Sequence, residues 1–199
     1  MNRVDPFGDL RAVPSRGTMM GNRGCLHDAA GLIRRRFSSK AWITCTLSWK
    51  GVTRSVFRPG RYSELFFLDE ATAFAAGHRP CSYCRRDAYL AFKAAWPDEQ
   101  AVKAPEIDAQ LHTERIGPAG QKQSFSARLG ALPEGVMLTL PDEPAAARLL
   151  WGGRLWRWSI EGYSDPLAAS ARLIATVLTP RSVCSTFANG YRVAVHSSL

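Results

Sequence analysis

The chain has 199 residues, of which 26 are Lys or Arg and 17 are Asp or Glu, so its formal net charge is +9. Hydrophobic residues make up 46% of it and charged residues 22%, a globular composition that excludes a collagen-like or wholly disordered chain. The length accommodates one large domain or two small ones. No run approaches the about 18 apolar residues of a spanning helix, and the first ten residues contain no signal-peptide type of apolar run. The sequence therefore predicts a cytoplasmic protein with no membrane partner.

The positive charge is concentrated near the N-terminus. Residues 1–60 carry 11 basic and three acidic side chains, a net charge of +8. Arginine outnumbers lysine by 21 to 5, and the planar guanidinium suits phosphate oxygens better than a point charge does. This excess favours an anionic partner such as a DNA or RNA backbone, with Arg34, Arg35 and Arg36 as candidate contacts. A solvated turn at these three arginines is the alternative interpretation.

The first part of the chain is rich in glycine and in short β-branched runs. Its first forty residues indicate loops joined by short strands. Residues 41–47 (AWITCTL) are β-branched and aromatic, and Lys50 with Gly51 can turn the chain, so residues 52–57 are predicted to return as a hairpin. Cys45 then lies on a strand.

Three helices are predicted next. A short strand at 62–67 leads into the alanine-rich residues 70–76, for which Asp69 is a suitable N-cap and Gly77 a suitable C-terminal stop. Two further helices are predicted, one that begins after a cap at Asp87 and ends at Pro97, and one over residues 105–116.

Strand patterns dominate the sequence after residue 117. A strand is predicted over 135–140. Residues 148–151 and 154–160 flank Gly152 and Gly153, a pair suited to a two-residue hairpin turn with positive φ. This part is therefore expected to form a small antiparallel sheet or barrel.

A last helix and strand complete the predicted fold. Thr179 and Pro180 are predicted to open a short helix by N-cap and N1 preferences, and a final strand is expected over 191–196. The predicted fold class is α+β. It comprises a basic region with a metal-binding type of αβ module at 1–117 and a small, mainly antiparallel β section at 118–199.

One cysteine pair has the spacing of a metal site. Cys81 and Cys84 form a Cys-x-x-Cys motif, which lets two thiolates of one tight turn bind a tetrahedral Zn²⁺. The neighbouring Arg79, Arg85 and Arg86 would stabilise thiolates electrostatically. The same three arginines are candidate contacts for a nucleic-acid backbone.

Residues 61–87 resemble the second half of the zinc-binding domain of the Ada methyl phosphotriester repair proteins. The shared pattern is a strand ending in aromatic residues, an alanine-rich helix and a Gly-aromatic-Arg-Pro-Cys-x-x-Cys-Arg phrase. The resemblance implies a zinc-ordered αβ module that contacts the DNA backbone. The family also has an upstream Cys-x-x-x-Cys pair, for which this chain offers Cys45, with Trp49 four residues later. The chain also contains the phrases LHD at 26–28, GHRPC at 77–81, VLTP at 177–180 and GYR at 190–192, and by these it resembles a set of uncharacterised bacterial proteins.

If zinc is bound, two or more further ligands are needed. Cys45 ranks first and His27 second among the candidates. The others are Cys25, His78 and His112. The alternative is a fold of zinc-finger shape without metal, in which Cys81 and Cys84 are small buried hydrophobic residues.

Three functions remain open. The first is a zinc-dependent, non-catalytic nucleic-acid-binding protein. The second is a protein-interaction module whose fold is stabilised by the metal. The third is an enzyme: a hydrolase that uses His27 with Asp28 or His112 with Glu114, or a thiol enzyme that uses Cys81 at the start of a helix.

Overall fold

The fold is that of a computed structural model, which describes residues 2–51, 56–98 and 102–199. Its first sheet contains β1 (Asn2–Val4), β2 (Leu10–Ala12), β3 (Met19–Asn22), β4 (Ile43–Cys45), β5 (Leu65–Phe67) and β6 (Arg79–Pro80). Its second sheet contains β7 (Phe125–Arg128), β8 (Met137–Leu140), β9 (Glu143–Trp151), β10 (Arg154–Trp158), β11 (Tyr163–Ala168) and β12 (Ile174–Val177). The α-helices are α1 (Glu70–Ala75), α2 (Arg86–Ala94), α3 (Ala104–Arg115) and α4 (Arg181–Ala188). The predicted α+β class is confirmed.

The first sheet is mixed and has the strand order β2-β1-β5-β3-β4-β6. Two neighbouring pairs, β1 with β5 and β4 with β6, are parallel, and the others are antiparallel. The neighbours of β4 in the sheet are β3 and β6. The predicted hairpin return at 52–57 falls largely on residues 52–55, which lie outside the described residues.

The second sheet is antiparallel, in the order β11-β10-β9-β8-β12-β7. Gly152 and Gly153, at φ +58° and +66°, close the β9–β10 hairpin and confirm the predicted turn. The predicted strand at 191–196 is wrong, because these residues join neither sheet. Their backbone instead donates to α1, through His196 N to Asp69 Oδ2 and Ala194 N to Glu70 Oε2.

The helix ends follow local capping chemistry in part. Asp69 caps α1 as predicted, since its Oδ1 accepts a 2.8 Å hydrogen bond from Thr72 N. Asp87 does not cap α2, because the helix begins one residue earlier and Asp87 lies in its first turn. At α4 Pro180 occupies the N-cap position rather than N1, and Thr179 Oγ1 accepts from Met137 N in the second sheet.

The largest core cluster draws on both sides of residue 117. Phe74 of α1 stacks on Phe92 of α2 at a centroid distance of 5.4 Å, and the same cluster includes Met137 and Val177 of the second sheet. A smaller cluster surrounds three cysteines at the end of β4 and β6. None of the described helices is long and apolar enough to cross a membrane.

Candidate metal centre

The parallel strands β4 and β6 bring Cys45 beside Cys81. Thr44 and Pro80 are register partners, and Cys81 N donates a 2.9 Å hydrogen bond to Thr44 O. The residue that follows each partner is a cysteine. The turn after β6, closed by the bond from Arg85 N to Cys81 O, then returns the chain so that Cys84 joins them.

The three sulfur atoms of Cys45, Cys81 and Cys84 lie within 4.8 Å of one another. All three side chains are buried and pack with Met20 and Phe66, which keeps water away from the sulfurs. A tetrahedral Zn²⁺ with Zn–S bonds of about 2.3 Å holds its sulfurs about 3.8 Å apart. The observed cluster therefore fits such an ion after small side-chain shifts.

The thiols differ in acidity. Hydrogen bonds from Cys45 lower the pKa of Cys81 to about 5 and that of Cys84 to about 7, and they raise the pKa of Cys45. Backbone groups help, since Tyr83 N donates to Cys81 Sγ at 3.4 Å. Metal binding needs thiolates, so a turn that already favours the ionised form of two sulfurs suits a metal.

No other His, Cys, Asp or Glu of residues 2–51, 56–98 and 102–199 joins the three cysteines. Trp49, which stands four residues after Cys45, packs against the cluster. Its indole ring meets Tyr83 edge to face at a centroid distance of 6.0 Å. An apolar ring thus lies near the position for which the resemblance implied a thiolate, and the described residues supply three ligands.

His27, the second-ranked ligand, lies outside the cluster. Its Nδ1 is 2.6 Å from Ser63 Oγ and its Nε2 is 3.3 Å from Arg58 O. The ring also stacks on Phe57 with centroids 4.6 Å apart. Both ring nitrogens therefore contact neighbouring groups, and His27 links its own loop to the segment at 58–63.

The lower-ranked candidates also lie elsewhere. Cys25 Sγ is 3.5 Å from His27 O in the same loop. His112 Nδ1 lies 3.3 Å from an Arg115 nitrogen. His78 is fully buried, and its Nε2 accepts from Arg23 Nε at 3.3 Å. Of the seven predicted ligands, the structure brings together three cysteines, Cys45, Cys81 and Cys84.

Two of the arginines beside the Cys-x-x-Cys motif are bound to carboxylates. Arg79 makes hydrogen bonds of 2.8 and 2.7 Å to Asp108, and both residues are buried. Arg85 binds Glu70 at 2.6 Å and donates to Thr44 Oγ1 at 2.8 Å. These contacts fix the turn that carries the cysteines. Sequence patterns did not reveal these two ion pairs, because their members are 29 and 15 residues apart along the chain.

The remaining predicted arginines are exposed. Arg34 pairs with Asp28 at 2.7 Å, and Arg36 pairs with Asp9 at 2.8 Å. Arg35 and Arg86 are exposed on the loop and at the start of α2. A cation on the surface is available to an anionic partner in a way that a buried, paired one is not.

The geometry defines a buried three-cysteine candidate metal centre at the edge of a mixed sheet. Comparison of the chain with protein-family models, with curated proteins and with solved structures gave no match. The resemblance to the Ada zinc-binding domain therefore depends on residues 61–87 and stays a prediction.

Proposed function

We propose that this is a zinc-binding, non-catalytic protein that binds the backbone of a nucleic acid. The observation that carries the metal part is the approach of three buried sulfurs, from Cys45, Cys81 and Cys84, to within 4.8 Å. Thiolate ligands in a tetrahedral arrangement favour Zn²⁺ over Mg²⁺ or Ca²⁺, which prefer oxygen. Water or a partner's ligand would complete the coordination.

The metal's role in this proposal is structural. Cys45 belongs to β4, whereas Cys81 and Cys84 belong to the turn between β6 and α2. A zinc ion would therefore join two segments separated by more than thirty residues and hold the start of α2 against the sheet. Structural zinc contributes directly to folding free energy.

The nucleic-acid part rests on charge and exposure. Residues 1–60 carry a net charge of +8, and Arg34, Arg35, Arg36 and Arg86 have exposed side chains. Exposed guanidinium groups displace counterions when they contact phosphates, which gives affinity without sequence preference. Arg79 and Arg85 are expected to position the turn rather than to contact phosphate, because carboxylates already bind them.

Metal content of the purified protein and its cysteine variants tests the first part. Elemental analysis should find one zinc per chain in the wild type and none in Cys81→Ser or Cys84→Ser. The matched controls are Cys25→Ser and Cys184→Ser, whose thiols lie outside the cluster and which should retain the zinc. Absence of metal from the wild type, or its retention in Cys81→Ser, would contradict the proposal.

Binding of labelled DNA and RNA at several salt concentrations tests the second part. The logarithm of the affinity should fall linearly with the logarithm of the salt concentration, with a slope set by the number of phosphates contacted. Replacing Arg34 and Arg86 together by Gln should make that slope shallower. If neither nucleic acid binds at about 50 mM salt, where such contacts are strong, the nucleic-acid part is wrong.

A further inference from the structure

A second polar site lies at the other end of the strands that carry the cysteines. Cys45 pairs with Met20 across β4 and β3, whereas Arg23 follows the opposite end of β3. Trp42 precedes β4 and His78 precedes β6 at that same end. The strands thus separate the three-cysteine cluster from a group of buried cationic and aromatic side chains.

Arg23 lines a cavity of about 310 Å³ at this end, which we name the arginine cavity. The polar part of its wall consists of Gly8, Asp9, Arg23, Arg34, Arg35 and Arg36. Four guanidinium groups thus share the wall with one carboxylate, and that carboxylate, Asp9, is paired with Arg36 at 2.8 Å. The cavity is strongly positive.

The guanidinium of Arg23 is buried and has an unused donor. The residue is 1% exposed; its Nη1 donates to Gly8 O at 2.9 Å and its Nε to His78 Nε2 at 3.3 Å. Its Nη2 finds no hydrogen-bond partner in the described parts of the chain. Gly8, whose ideal Cβ position lies 3.6 Å from Nη2, is part of the same cavity wall. A buried, charged donor without a partner is unfavourable, so a ligand that accepts its hydrogen bond is favoured.

No described carboxylate forms an ion pair with Arg23. Its guanidinium and that of Arg115 each lie 4.0 Å from the centroid of the Trp42 ring, too close to share one face, so they stack on opposite faces. Burial, followed by the charges of Arg115 and Arg36, lowers the pKa of Arg23 to about 9, which leaves it protonated at neutral pH. Asp5, a buried carboxylate whose charge favours the protonated form of Arg23, is paired with Arg11 at 2.9 Å.

We propose that the arginine cavity binds a phosphoryl group, with Arg23 at its base and Arg34, Arg35 and Arg36 at its rim. The unpaired Nη2 of Arg23 donates one charge-assisted hydrogen bond to a phosphate oxygen, and the exposed guanidinium groups at the rim supply further donors. The four arginines of the wall, together with the two carboxylates paired with them, Asp9 and Asp28, leave two positive charges. An anion with two negative charges balances them. The group is carried either by the end or backbone of a nucleic-acid strand or by a small phosphate. The strand form rests on the proposed function, whereas the cavity's affinity for phosphate does not.

Competition binding to the full-length protein tests this site. The probes are a labelled ten-residue oligothymidylate with and without a 5′-phosphate, and inorganic phosphate as competitor, with sodium chloride at equal ionic strength as reference. The variant is Arg35→Gln, because Arg35 is exposed on the cavity rim. The matched control is Arg172→Gln, an exposed arginine between β11 and β12 that is not part of the cavity.

The expected result is that phosphate competes beyond its ionic-strength effect. Loss of one charge-assisted contact in Arg35→Gln should weaken phosphate binding about tenfold, and Arg172→Gln should leave it within about twofold of wild type. A higher affinity for the 5′-phosphorylated strand identifies a strand end as the source. Equal affinity for both strands, with the same effect of Arg35→Gln, identifies a backbone phosphate.

Two results separate this site from the proposed function. Binding of inorganic phosphate, measured directly by titration calorimetry, in a protein that binds neither oligonucleotide would support the cavity and contradict nucleic-acid binding. The opposite result is that phosphate does not reduce oligonucleotide binding and that Arg35→Gln and Arg172→Gln change this binding equally. It would overturn the phosphate site in the cavity and leave nucleic-acid binding in place. Failure of both phosphate and oligonucleotides to bind would overturn both.

Discussion

Arg79 of β6 and Asp108 of α3 form a two-bonded ion pair, with Nε 2.8 Å from Oδ1 and Nη2 2.7 Å from Oδ2. Their side chains are 5% and 8% exposed. Arg79 lies two residues before Cys81, so this ion pair links the turn that carries Cys81 and Cys84 to α3. Replacing Asp108 by Asn leaves a buried guanidinium without its counter-charge, which costs about 3 kcal/mol or more. We expect Asp108→Asn to lose that much unfolding free energy in chemical denaturation, with weaker zinc binding.

An exposed pair of the same residue types provides the control. Arg36 and Asp9 lie 2.8 Å apart with side chains 49% and 54% exposed. Such pairs contribute at most about 1 kcal/mol, so Asp9→Asn should change the unfolding free energy by no more than this. Equal losses of unfolding free energy in Asp9→Asn and Asp108→Asn would show that burial does not make the Arg79–Asp108 pair more important for stability.

The glycine before the Cys-x-x-Cys motif is constrained by backbone angle and by space. Gly77 has φ +86°, and a Cβ built on it would lie 2.5 Å from Cδ and 2.9 Å from Cβ of Arg115. Arg115 cannot withdraw freely, because its Nη1 donates to Gly77 O at 2.7 Å. We therefore expect Gly77→Ala to lower the unfolding free energy by at least about 2 kcal/mol, from left-handed strain together with overpacking.

Gly120 separates these two causes. It has φ +76°, and no atom lies within 4 Å of its ideal Cβ position. Gly120→Ala should therefore lose only the conformational part, about 1 kcal/mol. Thermal or chemical denaturation of the two variants measures the difference, and losses of equal size would mean that contact with Arg115 adds nothing.

The features that the sequence predicted correctly depend on local chemistry. Asp69 caps α1, and Gly152 with Gly153 turns the β9–β10 hairpin, because each of these acts on residues only a few positions away. Cys45 joined Cys81 and Cys84 as the first-ranked ligand, because the resemblance at residues 61–87 implied an upstream cysteine near that position. Short-range patterns thus recovered the fold class, and the motif with its resemblance recovered the three members of the cluster.

The features that were missed depend on contacts across the chain. The strands β1, β2 and β3 have three or four residues each, too few to show an alternating pattern. The segment at 191–196 has the composition of a strand, but two of its backbone donors, at Ala194 and His196, bind the carboxylates of Glu70 and Asp69. Arg23 is an ordinary arginine in the sequence, and only the folded chain shows it buried on Trp42.

The burial of His78 should make the unfolding free energy depend on pH. Burial, and then the charges of Arg23 and Arg115, lower the pKa of His78 well below its ordinary value, so the ring is neutral in the fold. The bond from Arg23 Nε makes Nε2 the acceptor and leaves the proton on Nδ1. The unfolded chain takes up a proton below about pH 6.5, so the unfolding free energy falls as the pH falls through this region.

The variant His78→Gln isolates this contribution, since loss of metal in acid affects both proteins. Between pH 7 and pH 5, the unfolding free energy of the wild type should fall by about 2 kcal/mol more than that of His78→Gln. Chemical denaturation at each pH measures both values. A difference between the two proteins that stays constant over this range would contradict a neutral His78 in the fold.

Removal of zinc should destabilise the wild type and leave a cluster variant unchanged. A ligand that binds only the folded state stabilises it by about 4 kcal/mol at a thousand times its dissociation constant, and a chelator removes that contribution. Excess chelator should therefore lower the melting temperature of the wild type and of Cys25→Ser, whose thiol lies outside the cluster. Cys84→Ser, which lacks one of the three sulfurs, should melt lower from the start and respond little. If the chelator shifts Cys84→Ser as much as the wild type, the metal that it removes is held elsewhere than between β4, β6 and α2.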